Sequence, residues 1–298
     1  MALIEFNFES QYLSNNHTVG IILPDKPRQQ TPKEFYGNGK KYPVLWLLHG
    51  TFGDYSDWIR KSNIELYACE NDIIVVMPSA LNSEYSNWPG FSLGFNMWDY
   101  LTGELMPLIY NWFPASAKRE DNFIAGLSMG GRGAFMLALM HPDKFARAAL
   151  LSMAGRNYEC LKPYAGMTGP EFFRKAGAGE LNLKNSPQDR GINPRQINSI
   201  VKYPTVGDFL ASHENVWDRF IEAHKAGKLI DMYCAIGTKD HLYDFFCQFR
   251  ELAASLNAGI QFEEIGGYQH EWRFWDITIQ RAIEFFGLKK GKDAGNPY

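Results

Sequence analysis

Apolar residues along this chain fall into two patterns. At the amino end they alternate with polar ones: Ile4, Phe6 and Phe8 are separated by Glu5 and Asn7. That period of two predicts a half-buried strand over residues 4–10, paired antiparallel with a second over 18–23. Further on, the apolar residues come in short unbroken runs, as in Val44-Leu-Trp-Leu-Leu48. Runs of this kind suit strands covered on both faces, and they predict strands at 44–48, 73–77 and 123–125; strand character returns at 146–153, 229–237 and 260–265. Between them the spacing turns helical, over 56–70, 97–113, 131–140, 244–256 and 274–286. The second of these contains Pro107, which disturbs a turn, and the third stops at His141-Pro142. Alternating strands and helices predict an α/β fold, a mostly parallel central sheet with helices on both faces.

Residues 156–228 break the rhythm. They hold no strand-like run and are rich in Gly, Pro, Asn and charge, with helical stretches at 169–176 and 206–226. This segment reads as a cap inserted over the cleft, leaving 1–155 and 229–298 as the core. Residues 24–41 read as an exposed loop and the polar tail 289–298 as a fraying end.

The 298 residues carry a formal net charge of −3, which argues against a nucleic-acid or anionic-membrane partner. The first ten residues have no basic region and no long apolar run, and nothing approaches the ~20 apolar residues of a membrane helix. Cys69, Cys160, Cys234 and Cys247 are scattered, so free thiols in a cytoplasmic setting are expected, with no structural metal and no cofactor. The partner expected from this composition is a small molecule, and a homo-oligomer remains open.

The chemistry concentrates at Asn122-Phe-Ile-Ala-Gly-Leu-Ser-Met-Gly-Gly131. Here Gly126 and Gly130 bracket Ser128 between a strand and a helix. Such a turn lifts the serine hydroxyl into a cleft beside a helix N-terminus, where developing negative charge is favoured. A serine nucleophile needs a base, and the base needs an acid to orient it. With the order serine, acid, histidine, His270 is the base, in a Gly-rich loop after the last strand. Asp240, just past the preceding strand, is the leading acid, and Asp244 is an alternative that reads as a helix N-cap. An oxyanion needs N–H donors already in place. Met129 supplies one. Thr51, in the loop His49-Gly-Thr-Phe-Gly53, is chosen for the other, with Phe52 its neighbour. His49 precedes the serine and is expected to orient that loop. Phe52, Trp88 in the aromatic loop 78–95, and Trp217 in the insertion are candidate substrate contacts.

Several segments together resemble one known family. They are Leu47-Leu-His-Gly50 with Trp58, Tyr100-Leu-Thr-Gly-Glu-Leu105, Phe123 to Gly131, Gly237-Thr-Lys-Asp240, and His270-Glu-Trp272 with Trp275-Asp276. The chain resembles the esterase D-like branch of the α/β-hydrolases, and most closely its bacterial tributyrin-esterase-like members. The resemblance implies the α/β-hydrolase fold and a serine carboxylesterase for short acyl or aryl esters, with Ser128, Asp240 and His270 as triad. Feruloyl and acetyl esterases of plant polysaccharide, acyltransferases and S-formylglutathione hydrolases share the scaffold. The last is disfavoured by Phe52-Gly53 and Leu127, where that branch carries a cysteine-bearing loop and a histidine.

Overall fold

The computed structural model describes residues 2–153, 155–187 and 189–288. The predicted behaviour of the tail 289–298 lies outside the described residues. The chain forms two compact units, one of residues 1–154 with 229–298 and the other of residues 155–228.

The first unit is built on an eight-stranded sheet. Its strands are β1 (Ala2–Ser10), β2 (Asn15–Leu23), β3 (Val44–Leu48), β4 (Ile74–Pro78), β5 (Asn122–Leu127), β6 (Arg147–Leu151), β7 (Asp231–Gly237) and β8 (Gln261–Ile265). Their order across the sheet is β1-β2-β4-β3-β5-β6-β7-β8. β2 pairs antiparallel with both β1 and β4, and every other pairing is parallel. The strands predicted from unbroken runs are the central ones. β3, β4 and β5 are buried along their whole length, as a sheet covered on both faces requires. The edge strand β1 alternates instead. At the start of β5, the buried Asn122 side chain has partners on all sides: Trp46 Nε1 and the Tyr110 hydroxyl donate to it, and it donates to the Ser116 and Lys118 carbonyls. An unpaired amide there costs about 1–3 kcal/mol.

Three expected helices differ in detail. The helix expected over 56–70 is two, Asp57–Lys61 and Ile64–Glu70. Between them Ser62 is extended, and the Asn63 N–H donates to Asp276 at 2.7 Å. The helix expected over 97–113 contains a π-helical segment, Tyr100–Leu105, between α-helical Met97–Asp99 and Met106–Trp112. The π segment lies immediately upstream of Pro107, whose ring crowds the carbonyl four residues back at Gly103 and whose missing N–H cannot bond to it. Glu104, on the π segment, accepts from the Ser10 hydroxyl and the Gln11 N–H, and so fastens the end of β1.

The second unit has its own core of Tyr158, Leu161, Phe172, Ile192, Ile200, Val206 and Phe209. Its helices are Gly169–Gly177, Pro194–Val201, Val206–Ala211 and Val216–Lys225. The run expected over 206–226 is divided at Ser212–Asn215, where the Asn215 side chain caps the last helix.

Candidate active site

The parallel register brings five strand ends into one row. Leu48 faces Gly126, Leu127 faces Leu151, Leu151 faces Ala235, and Gly237 faces Ile265. The segments leaving these ends carry His49 to Gly53, Ser128, Ser152, Asp240 and His270. They lie at the carboxyl side of the sheet, where α/β folds place their ligands.

Ser128 sits between β5 and the helix Met129–Met140, with φ 54° and ψ −117°. This is a strained backbone for a residue with a Cβ. The turn closes tightly because its flanking residues are glycines. A Cβ on Gly126 would lie 2.3 Å from the Gly130 carbonyl oxygen, and one on Gly130 would lie 2.5 Å from the oxygens of both Leu48 and His49. The Ser128 N–H donates to the Leu151 carbonyl at 2.8 Å. Ser128 is half-buried. Met129 is the first residue of the helix, where N–H groups have no partner within the helix.

The loop after β3 is fixed from several sides. His49 is almost fully buried, which lowers its pKa and keeps it neutral. Its Nε2 accepts from the Ala80 N–H at 2.8 Å, so its proton lies on Nδ1 and is directed to the Gly50 carbonyl. The Leu48 carbonyl accepts from Trp58 Nε1, and the His49 carbonyl from the Tyr85 hydroxyl. Gly50 to Gly53 form a turn closed by the Gly53 N–H on the Gly50 carbonyl. Phe52 occupies its third position at φ 62°, and its side chain is 90% exposed. The Phe52 N–H is already bonded to Asn82 Oδ1 at 2.9 Å. Of the two neighbours weighed as oxyanion donors, Phe52 has its N–H committed elsewhere.

Asp240 and His270 come together on two stitched loops. Gly237 lets them meet, since a Cβ there would lie 2.3 Å from the Tyr268 carbonyl oxygen. The Thr238 N–H donates to the Ile265 carbonyl, and the Lys239 N–H to Tyr268. His270 Nδ1 then lies 2.8 Å from Asp240 Oδ2. Oδ1 accepts from the Leu242 N–H at 2.9 Å. Burial pushes the Asp240 carboxyl up, but the hydrogen bond and charge of His270, with bonds from Leu242 and Ser152, outweigh it and hold the pKa below the usual value. A carboxylate accepts only, so the His270 proton is on Nδ1 and Nε2 offers a lone pair.

His241, next to Asp240 in the chain, also approaches this pair. Its Nδ1 lies 3.5 Å from Asp240 Oδ1 and its ring centroid 4.6 Å from that of His270. Asp244 is the second residue of the helix Tyr243–Ser255 and not its N-cap, which is Leu242. In the aromatic loop, Tyr85 and Phe95 are core residues. Trp88 is half-buried in a two-residue ribbon, with Nε1 on the Ser83 carbonyl. Trp217 lies on the helix Val216–Lys225 of the second unit.

Two residues missed by the sequence reading complete the arrangement. Ser152, one step past β6, accepts from Trp275 Nε1 at 3.0 Å. The Trp275 ring stands edge-on to His270, with centroids 4.9 Å apart at 87°. Trp275 also meets Trp272, which meets Trp58, each pair nearly perpendicular. An aromatic chain therefore runs from the helix Asp57–Lys61 to His270. The Trp275 position was visible in the sequence as part of the carboxyl-terminal motif, while no local pattern marked Ser152.

A sheet of this order, with a serine on the β5 turn and an Asp–His pair after β7 and β8, defines an α/β-hydrolase. Within that class the chain belongs to the Esterase family, which it matches over residues 10–286. It is 31% identical over 300 residues to an acetyl esterase of Caldicellulosiruptor saccharolyticus, covering 96% of this chain and 98% of that one. Among solved structures it is similar to FphF, a fluorophosphonate-binding serine hydrolase of Staphylococcus aureus, with TM-score 0.70 and 26% identity over 96% of this chain and 98% of that one. It is similar at the same TM-score to the S-formylglutathione hydrolase FrmB of Staphylococcus aureus, with 27% identity and the same coverage of both chains. The chain is accordingly an ester hydrolase. Among the described residues no helix is long and apolar enough to cross a membrane.

Proposed function

We propose that this protein is a serine esterase for short-chain acyl esters, acetyl esters foremost, working through Ser128, His270 and Asp240. The observation that carries this reading is the 2.8 Å contact between His270 Nδ1 and Asp240 Oδ2, in the same row of strand ends as the strained Ser128 turn. The acetyl preference is supported by the relative of that name, similar over nearly all of both chains.

In this mechanism His270 Nε2 takes the Ser128 proton as Oγ attacks the ester carbonyl carbon. The oxyanion that forms is met by the Met129 and Thr51 N–H groups. Collapse breaks the bond to the alcohol, which leaves with the proton from His270. Water then attacks the acyl-enzyme, giving its proton to His270, and the acid departs as Ser128 is restored. Asp240 stays ionised throughout and stabilises the imidazolium.

The similarity to FrmB supports a second reading, hydrolysis of S-formylglutathione. A panel of p-nitrophenyl acetate, butyrate and octanoate, methyl ferulate and S-formylglutathione separates these. The highest kcat/KM is expected on acetate or butyrate. A higher value on S-formylglutathione or methyl ferulate overturns the proposed substrate class. Transfer to an added alcohol in preference to water reassigns the enzyme as an acyltransferase.

A further inference from the structure

We propose that Asp240, His241 and His270 form an inhibitory site for Zn2+, which stops the reaction by taking Nδ1 of the proposed base. The inference rests on the triad reading above and adds a regulatory ligand to that same site. The ion is neither a structural metal nor a cofactor of the reaction.

The close packing of Gly237 on the Tyr268 carbonyl brings the loop after β7 against the loop after β8. His241 follows Asp240 directly, in a turn closed by the Tyr243 N–H on the Asp240 carbonyl. One ligand atom from each of the three side chains lies within 4.8 Å of the other two. Each ring faces one carboxylate oxygen, His270 Nδ1 at 2.8 Å from Oδ2 and His241 Nδ1 at 3.5 Å from Oδ1. A tetrahedral zinc ion holds nitrogen and oxygen ligands at about 2.0–2.2 Å, which sets neighbouring ligand atoms about 3.3 Å apart. The two contacts bracket that spacing, so small side-chain rotations suffice. The imidazole rings already pack on each other, with centroids 4.6 Å apart.

The donor set selects the cation. Two imidazoles and a carboxylate suit a borderline-soft ion, whereas Mg2+ and Ca2+ take oxygen ligands. Three protein ligands leave a fourth position for water. The Leu242 N–H on Asp240 Oδ1 holds the carboxylate in place before any ion arrives. An entry path is open as well. The His241 side chain is 58% exposed and that of His270 is 22% exposed, while the Asp240 side chain is buried beneath them. The ion therefore passes the imidazoles and meets the negative charge at the bottom.

An ion in this place breaks the hydrogen bond on which the base depends. Zinc takes the lone pair of a ring nitrogen that carries no proton. The N–H bond at His270 Nδ1 is therefore exchanged for one at Nε2, and the ring stays neutral. In that form Nε2 donates and cannot accept the Ser128 proton. Asp240, bound to the metal, no longer orients the ring for catalysis.

The test follows p-nitrophenyl acetate hydrolysis against free Zn2+, beside isothermal titration calorimetry with the same ion. Wild type, His241→Asn and His224→Asn are compared, each referred to its own zinc-free rate. Wild type should bind Zn2+ at micromolar concentration, lose activity over the same range and regain it on addition of EDTA. Mg2+ at millimolar concentration should leave the rate unchanged. His241→Asn should raise both the inhibition constant and the dissociation constant at least about tenfold, because removing a direct ligand costs no less than removing an outer-shell partner. The His241 side chain is exposed, so this variant keeps the fold. His224→Asn removes a histidine outside the cluster, on the helix Val216–Lys225, and should match wild type. No binding to wild type, or equal affinity in wild type and His241→Asn, overturns the site and leaves the triad reading standing. Equal inhibition by Mg2+, or an equal loss of affinity in His224→Asn, overturns the site too. Binding that depends on His241 but leaves the rate unchanged keeps the site and overturns His270 as the base.

Discussion

Asp240 and His270 are thirty residues apart, yet Oδ2 of one lies 2.8 Å from Nδ1 of the other because the Gly237 backbone packs directly on the Tyr268 carbonyl. The contact depends on the carboxylate as an acceptor. Asp240→Asn preserves the shape but can turn an NH2 toward Nδ1, which favours the tautomer with its proton on Nε2. That form cannot accept from Ser128. We expect kcat to fall about 10³–10⁴-fold with the fold intact. Steady-state kinetics beside circular dichroism checks this, and a loss below tenfold would count against Asp240 as the acid.

The neighbouring His241 provides a contrast. At 3.5 Å, its Nδ1 is beyond a normal hydrogen bond to Asp240 Oδ1, which the Leu242 N–H already serves. His241 is exposed, whereas His270 is half-buried against Trp275. His241→Asn should therefore leave kcat/KM within about threefold, while His270→Asn should reduce it by a thousandfold or more. Comparable losses in the two variants would mean that the base assignment is wrong.

The serine turn makes a prediction about folding. Alanine at Gly130 brings a methyl to 2.5 Å from two backbone oxygens of neighbouring segments, and neither can swing aside as a side-chain tip can. Gly130→Ala should cost at least ~3 kcal/mol or abolish soluble expression. Gly259→Ala has open space around its Cβ and a backbone outside the left-handed region, and should stay within about 0.5 kcal/mol of wild type. Urea titration of both variants measures the difference.

What the sequence disclosed depends on how local each cause was. Ser128 and its glycines are determined within five residues, and the order of serine, acid and histidine pointed to Asp240 and His270 before any contact was known. The strands with unbroken apolar runs were equally plain. Breaks in helices were not, because their causes lie far away in the chain. The gap at Asn63 is held by Asp276, 213 residues later, and the π segment carries Glu104 to the end of β1. The helix Pro194–Val201 is a different case, since its capping box of Asn193 and Gln196 was present in the sequence and passed over. Ser152 had no such signal. Its partner Trp275, 123 residues later, is brought to it only by the folded chain.

His17 should make stability depend on pH independently of catalysis. It lies on β2, 6% exposed, with its ring 5.0 Å from that of Tyr100. Burial, partly offset by a backbone hydrogen bond with Ser79, lowers its pKa to about 4. The unfolded chain binds this proton near the ordinary value of 6.5. Between those two values the unfolded state holds more protons, so acidification favours unfolding there. The stabilisation is fully present above pH 6.5, declines as the pH falls through the interval, and is gone below about 4, a loss of about 3 kcal/mol. Asp240, whose pKa lies below the ordinary carboxylate range, loses its own contribution only at lower pH. Urea unfolding at pH 7, 5.5 and 4.5 should show this decline in wild type and a shallower one in His17→Gln, which cannot take up the proton. Equal slopes in the two proteins would show that His17 is not the group responsible.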